Sequence, residues 1–339
     1  MNKLGPALRL LGLLWLLGPG TGHAGCMDTR PLRGVNLSGA EFSNTQLPGT
    51  LHKDYTYPAD EDLRYFQQVG MGIIRLPFRW ERIQHEPHGP LDTTELAELQ
   101  RVVSTARALK LCILLDLHNF GSYRGQVLGS PALPGSALTN VWLQLQRAFP
   151  DPDTTALGLM NEPAPIPVAE WTAMAQETVL ALRAAGARNL ILVPSGRWSG
   201  AHEWHKRFEG VTPAESFQTF QDPLDNYAIE LHQYADADFS GTGSLCLSAT
   251  HLRQILERVT SWAIQERKKL FLGEFGMPPS AECLLTLTAM LQSMQDTHAW
   301  LGWTYWSAGR WWGTYPYSIH PGRGPEAPQL TVLRTFLGK

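Results

Sequence analysis

The sequence predicts an α/β chain with a single domain closed into a (β/α)8 (TIM) barrel. Three observations carry that prediction. Eight short apolar runs recur along the chain, each followed by a polar cluster and then by a stretch with helical spacing. The runs are apolar throughout rather than alternating, which marks strands buried on both faces and paired in parallel through crossover helices. The eight units fit in roughly 300 residues, an ordinary length for a closed barrel.

The runs, in order, are Gly34–Leu37, Gly72–Leu76, Leu111–Leu117, Ala156–Met160, Leu190–Val193, Tyr227–Leu231, Leu270–Leu272 and Leu301–Trp306. Between them the period changes. Leu96, Leu99, Val103 and Ala106 share one helical face, opened by the capping pair Asp92 and Glu95. Leu252, Ile255, Leu256, Val259 and Trp262 form a second stripe. Pro131–Gly135 and Pro321–Pro328 read as surface loops. An open doubly wound sheet is the alternative, but its first strand normally leads into G-x-G-x-x-G, and Gly34-Val35-Asn36-Leu37-Ser38-Gly39 lacks that spacing.

The chain has 339 residues, 43% hydrophobic and 17% charged, enough for one large core. A formal net charge of -3 provides no basic field for a polyanion, so nucleic acid is not an expected partner. Lys3 and Arg9 precede the apolar run Leu10–Leu17, and Gly22-His23-Ala24 is a small-x-small cleavage site. Residues 1–24 are therefore read as a signal peptide and 25–339 as the barrel domain of a secreted or periplasmic protein. The apolar run is too short to span a bilayer. Lipid anchoring at Cys26 is the rival, because His23-Ala24-Gly25-Cys26 resembles a bacterial lipoprotein box. Four Cys in an oxidising compartment allow three pairings. Cys246 and Cys283 lie in loop-like stretches and are paired with each other, leaving Cys26 to Cys112; alternatively Cys112, inside an apolar run, is a buried small hydrophobe.

A barrel of this kind carries its chemistry at the carboxyl ends of its strands. Those ends present Asn36, Arg75, His118 with Asn119, Asn161 with Glu162, His232 with Tyr234, Glu274 and Trp306. Glu162 and Glu274 are the centre of the pattern. Strands four and seven of a barrel can face each other across its mouth, and retaining hydrolysis of a glycosidic bond needs two carboxyl groups about 5 to 5.5 Å apart.

These residues resemble glycoside hydrolase family 5, most closely its secreted cellulases, the endo-β-1,4-glucanases. The resemblance covers roughly residues 30 to 339 and rests on Arg33-Gly34-Val35-Asn36-Leu37-Ser38-Gly39-Ala40-Glu41-Phe42, Arg75-Leu76-Pro77-Phe78-Arg79-Trp80, Asp116-Leu117-His118-Asn119 and Gly158-Leu159-Met160-Asn161-Glu162-Pro163. It continues in His232-Gln233-Tyr234, Ser240-Gly241-Thr242, Leu272-Gly273-Glu274-Phe275-Gly276 and Trp303-Thr304-Tyr305-Trp306-Ser307-Ala308-Gly309. It implies Glu162 as general acid/base and Glu274 as nucleophile. Arg75 would be the cationic partner of Glu274, and Asn161 would bond the sugar 2-hydroxyl. His118, His232 and Tyr234 would hold the glycone and the nucleophile, and Trp306 would form the floor under the reacting ring. Asn36, Trp80, Trp198, Trp204 and the pair Trp311-Trp312 are candidates for further subsites, with core or lid packing the equal alternative for the indoles.

The expected partner is a β-1,4-glucan polysaccharide or oligosaccharide, acted on by a monomer without cofactor or metal. Mannan, xyloglucan, xylan or β-1,3-glucan on the same machinery are the neighbouring readings, and a carbohydrate-binding barrel without catalysis is another, though it would not need both Glu162 and Glu274, and both are present. His85-Glu86-Pro87-His88 and His202-Glu203-Trp204-His205 miss the H-E-x-x-H spacing of a zinc protease, and no G-x-S-x-G elbow or P-loop occurs. No linker to an appended cellulose-binding module is visible, which predicts better activity on soluble or amorphous glucan than on crystalline fibre.

Overall fold

In a parallel barrel each strand alternates its side chains between the lumen and the surrounding helices, so two apolar sets must be filled. The computed structural model describes residues 25–27, 31–322 and 325–338; the expected signal peptide, residues 1–24, lies outside them. The barrel strands are β1 (Leu32–Leu37), β2 (Ile73–Phe78), β3 (Cys112–Leu117), β6 (Thr155–Gly158), β7 (Ile191–Pro194), β8 (Tyr227–His232), β9 (Leu270–Glu274) and β10 (Trp300–Ala308). They pair in parallel and close in the order β1-β10-β9-β8-β7-β6-β3-β2. A small antiparallel hairpin, β4 (Ser122–Tyr123) with β5 (Gln126–Val127), follows the third barrel strand. The sheet is thus the predicted (β/α)8 barrel.

The long outer helices are α1 (Asp60–Val69), α3 (Thr93–Leu109), α4 (Ser136–Ala148), α5 (Val168–Ala184), α7 (Ala249–Glu266) and α8 (Ala281–Ser293). Short helices α2 (Trp80–Ile83), α6 (Pro213–Gln218) and α9 (Pro328–Arg334) complete the set. Asp92 caps α3 by accepting the Thr94 and Glu95 amides. Glu95 does not return the bond as a capping pair would; it is buried and accepts the hydroxyls of Tyr55 and Tyr57 instead.

The lumen is layered. At its amino end Ile73, Leu114, Ala228 and Phe271 pack with the Cys26–Cys112 disulfide, which stoppers the barrel floor. Two residues further along their strands stand Arg75, Asp116 and Glu230, all without exposure. Period-two geometry therefore puts a charged layer directly above an apolar one. Cys112 is thus bonded rather than a free hydrophobe, and Cys26 Sγ, the atom a lipid thioether would need, is bonded to it. Cys246 and Cys283 form the second disulfide.

Candidate active site

Arg75 organises the charged layer. Its Nε donates to Glu230 at 2.9 Å, Nη1 to Asn36 at 2.9 Å and to Glu274 at 2.8 Å, and Nη2 to Asn161 at 2.8 Å. Asp116 lies 3.1 Å from the same guanidinium. One fully buried cation thus faces three carboxylates, and their field outweighs the desolvation that opposes its charge, raising its pKa above the usual arginine value. Removing the guanidinium would leave three buried carboxylates without their shared cation.

Glu274 closes β9 and is fixed at both oxygens: Oε1 by Arg75, Oε2 by the Tyr234 hydroxyl at 2.7 Å. Burial and that carboxylate together push the Tyr234 phenol well above its ordinary pKa, so it remains a donor. Glu162 reaches the site differently. Strand β6 ends at Gly158, one hydrogen bond (Leu159 N–H to the Leu192 carbonyl) extends the pairing, and the Asn161 amide then crosses back to Leu117. Glu162 itself sits at φ 39°, a left-handed value that costs a non-glycine residue about 1–3 kcal/mol. From this turn its Oε1 accepts from His232 Nδ1 at 2.7 Å.

His232 stands between the two acids. Nδ1 is 3.7 Å from Glu274, and Nε2 faces Glu230 at 3.5 Å. Burial opposes its protonation, yet the three carboxylates prevail and push its pKa up to about 10. Burial raises the Glu162 carboxyl above the usual range, assisted by Glu274 and opposed by the His232 hydrogen bond. One donor atom each from Glu162, His232 and Glu274 lie within 4.8 Å of one another. That set could geometrically hold a cation, but a His232 that keeps its proton offers no lone pair to a metal.

His118 takes the opposite state. Burial holds it well below the usual histidine pKa, so it is neutral, with Nδ1–H donating to Asp116 at 2.7 Å. Its ring is parallel to Trp306 at 5.7 Å, within 13°. Both line a cavity of about 570 Å³, along with Phe42, Phe120, Trp311 and Trp312. The cavity adjoins the carboxylates through His118 and Trp306 rather than enclosing them.

The structure therefore brings together Arg75, His118, Asn161, Glu162, His232, Tyr234, Glu274 and Trp306. It separates others. Asn36 is completely buried, with Oδ1 accepting from Arg75 and Nδ2 donating to the Gly273 carbonyl, so it supports the arginine and is not a subsite. Trp80 and Trp204 are not subsites either: both are fully buried, Trp80 against Tyr123 and Trp204 against Trp262. Trp311 and Trp198 do present surface, 40% and 52% exposed. They lie on different sides of the mouth, Trp311 in the cavity and Trp198 in the loop whose Ser199 carbonyl accepts the His232 amide.

Sequence reasoning missed Asp116 and Glu230 as members of the cluster. The signal was available: each is a carboxylate inside a buried apolar strand, and a charge there requires a partner. It also missed Phe42, whose ring meets that of Trp312 at 4.9 Å, and Phe120.

Comparison with known proteins gives the family. The family model described as cellulase, glycosyl hydrolase family 5, matches residues 35–310. An endo-β-1,4-glucanase B from Aspergillus niger is 31% identical over 321 residues, covering 94% of each chain. The crystal structure of an endo-β-1,4-glucanase from Xanthomonas axonopodis pv. citri is 41% identical with a TM-score of 0.88, covering 91% of this chain and 98% of that one. XacCel5A, solved in complex with cellopentaose, is 43% identical with a TM-score of 0.88, covering 91% of this chain and all of that one. Since the matched span takes in every barrel strand except the first residues of β1, this glycoside hydrolase belongs to the cellulase family, glycosyl hydrolase family 5.

Proposed function

We propose that the protein is a retaining endo-β-1,4-glucanase, with Glu274 as nucleophile and Glu162 as general acid/base. The observation that carries this reading is the spacing of the two acids: one oxygen of each lies within 4.8 Å of the other, which accords with the separation of about 5 to 5.5 Å that double displacement uses rather than the roughly 6.5–9.5 Å of an inverting pair. The names of the relatives supply the substrate, a β-1,4-linked glucan chain.

The environments divide the roles. Glu274, fixed by Arg75 and Tyr234, attacks the anomeric carbon while Glu162, its pKa raised by burial, gives its proton to the departing glycosidic oxygen. In the second half-reaction Glu162 accepts a proton from water, and that water displaces Glu274 and restores it. Asn161 holds one polar atom, Nδ2, without a protein partner, which suits a hydrogen bond to a sugar hydroxyl next to the reacting carbon. Trp306 forms the floor, and the groove runs between Trp311 and Trp198.

An extracytoplasmic location follows from the reading of residues 1–24 as a leader and accords with two disulfides. Among the described residues no helix is long and apolar enough to cross a membrane. The test is viscosity loss against reducing-end release on soluble carboxymethyl cellulose, wild type beside Glu274→Gln. Rapid thinning with few new ends, abolished in the variant, is expected; a folded wild type that releases no ends sinks the assignment.

A further inference from the structure

We infer that Arg82 is a positioning residue, a latch that holds the loop between Ala40 and Tyr57 as one wall of the substrate groove. The inference rests on the glucanase reading above for its substrate, but the latch itself stands on geometry.

Six residues of this loop (Glu41, Phe42, Ser43, Asn44, Lys53 and Asp54) line the 570 Å³ cavity beside Trp306. Yet from Ser43 to Asp54 none is buried, so the loop has little apolar packing to fix its shape. Behind it, moreover, lies a second cavity of about 280 Å³, lined by Pro48, Leu51, Tyr55, Arg82 and Glu95. Something other than close packing must hold the wall in place.

Arg82 on α2 does so. Its side chain is 1% exposed, and its hydrogen bonds go to backbone carbonyls of the loop. Nε donates to Pro48 at 2.7 Å, Nη1 to Ala40 at 2.6 Å, and Nη2 to Phe42 at 2.5 Å and Ser43 at 3.4 Å. The guanidinium also lies 3.7 Å over the Tyr55 ring. A planar fork with five donors can gather carbonyls from several points along the first half of the loop; a lysine, with three donors on one atom, cannot. The far side is tied down through Glu95, which accepts from Tyr55 and Tyr57.

The latch leads directly to the site. Phe42, whose carbonyl Arg82 grips, packs edge-on to Trp312 at 4.9 Å; Trp312 meets Trp306 at 5.9 Å, and Trp306 lies parallel to His118. Loosening Arg82 should therefore disturb binding of glucosyl units in the cavity while leaving the Glu162–Glu274 chemistry intact.

Two readouts test this in Arg82→Lys. Amide hydrogen exchange across residues 43–54 should quicken, with strand peptides unchanged. The ratio of kcat/KM for cellopentaose to that for a short aryl β-cellobioside should fall by up to about tenfold, the scale of one lost aromatic contact, with kcat on the short substrate within about twofold of wild type. Phe42→Leu, which leaves Arg82 in place, should lower the same ratio without faster loop exchange, and it tests the wall's role in binding on its own if Arg82→Lys does not fold. Unchanged loop exchange overturns the latch. Equal losses on both substrates, or an unchanged ratio, overturn the positioning role. A wild type that cleaves neither substrate overturns the glucanase assignment and with it the positioning role, while exchange alone still judges the latch.

Discussion

Arg75 Nη1 stands 2.8 Å from Glu274 Oε1 with neither side chain appreciably exposed, and the same guanidinium also binds Asn36, Asn161 and Glu230. Arg75 therefore sets the nucleophile, the amide beside the acid/base and the barrel's charged layer with one planar group. Arg75→Lys cannot reproduce five directed contacts. Leaving buried carboxylates unpaired costs about 3–5 kcal/mol. We expect a fall of roughly 6–20 °C in Tm at about 2–4 °C per kcal/mol, read by calorimetry. Activity should drop by about 10²-fold or more, since small misplacement of reacting groups has that effect. An active, equally stable Arg75→Lys would refute this account of the cluster.

Glu162 must be protonated to act as an acid, and burial raises its carboxyl above the usual range. The protonated fraction is lost as pH rises through that raised value, so the alkaline limb of kcat/KM belongs to Glu162. Glu162→Gln should remove this limb and reduce hydrolysis of glucan by about 10²–10⁴-fold, the range of general acid catalysis. An aryl glycoside with an acidic phenol needs less protonation of its leaving group, so its first step should suffer much less. Equal losses on both substrates would assign the acid elsewhere.

His232 links pH to stability. Its folded pKa, raised from 6.5 to about 10, means the folded state binds the proton more tightly than the unfolded chain. Its contribution is complete below about pH 6.5 and disappears as pH climbs through 10. Burial also raises Glu162, and it pushes Asp116 up to about 7, so both act with the same sign at lower pH. Tm should therefore decline between pH 7 and 9.5, and His232→Asn should start lower at pH 7 and show a flatter slope. A wild-type Tm that is constant over this interval would mean that His232 is not held as an imidazolium.

The barrel was legible because the strands repeat one pattern eight times and because polar groups accumulate at one end of each run. What the pattern could not convey was depth. Asn36 and Asn161 look alike at strand ends, yet Asn36 uses both polar atoms inside the barrel while Asn161 keeps Nδ2 unpartnered. That Asp116 and Glu230 need a partner is legible in their apolar strands, but not which one, because Arg75 lies on another strand and sequence distance says nothing about a shared lumen. The turn at Glu162 is likewise invisible, since no glycine marks its positive φ. Conversely, the loop latched by Arg82 reads only as a polar stretch until its carbonyls are seen to converge.

Indoles pose the same problem of depth, and they can be sorted by experiment. Trp204 is fully buried and packs edge-on to Trp262 at 4.6 Å; Trp311 is 40% exposed and lines the cavity. Truncating a buried Trp removes packing that is worth about 3–5 kcal/mol, whereas an exposed one contributes little to folding. Trp204→Ala should lower Tm by roughly 6–20 °C with KM on cellopentaose nearly unchanged. Trp311→Ala should leave Tm within about 1–2 °C while raising that KM by up to about tenfold, the scale of one lost aromatic contact. If Trp311→Ala destabilised the fold as Trp204→Ala does, Trp311 would be packing the lid rather than facing a sugar ring, and the groove would have to be drawn along the Trp198 side alone.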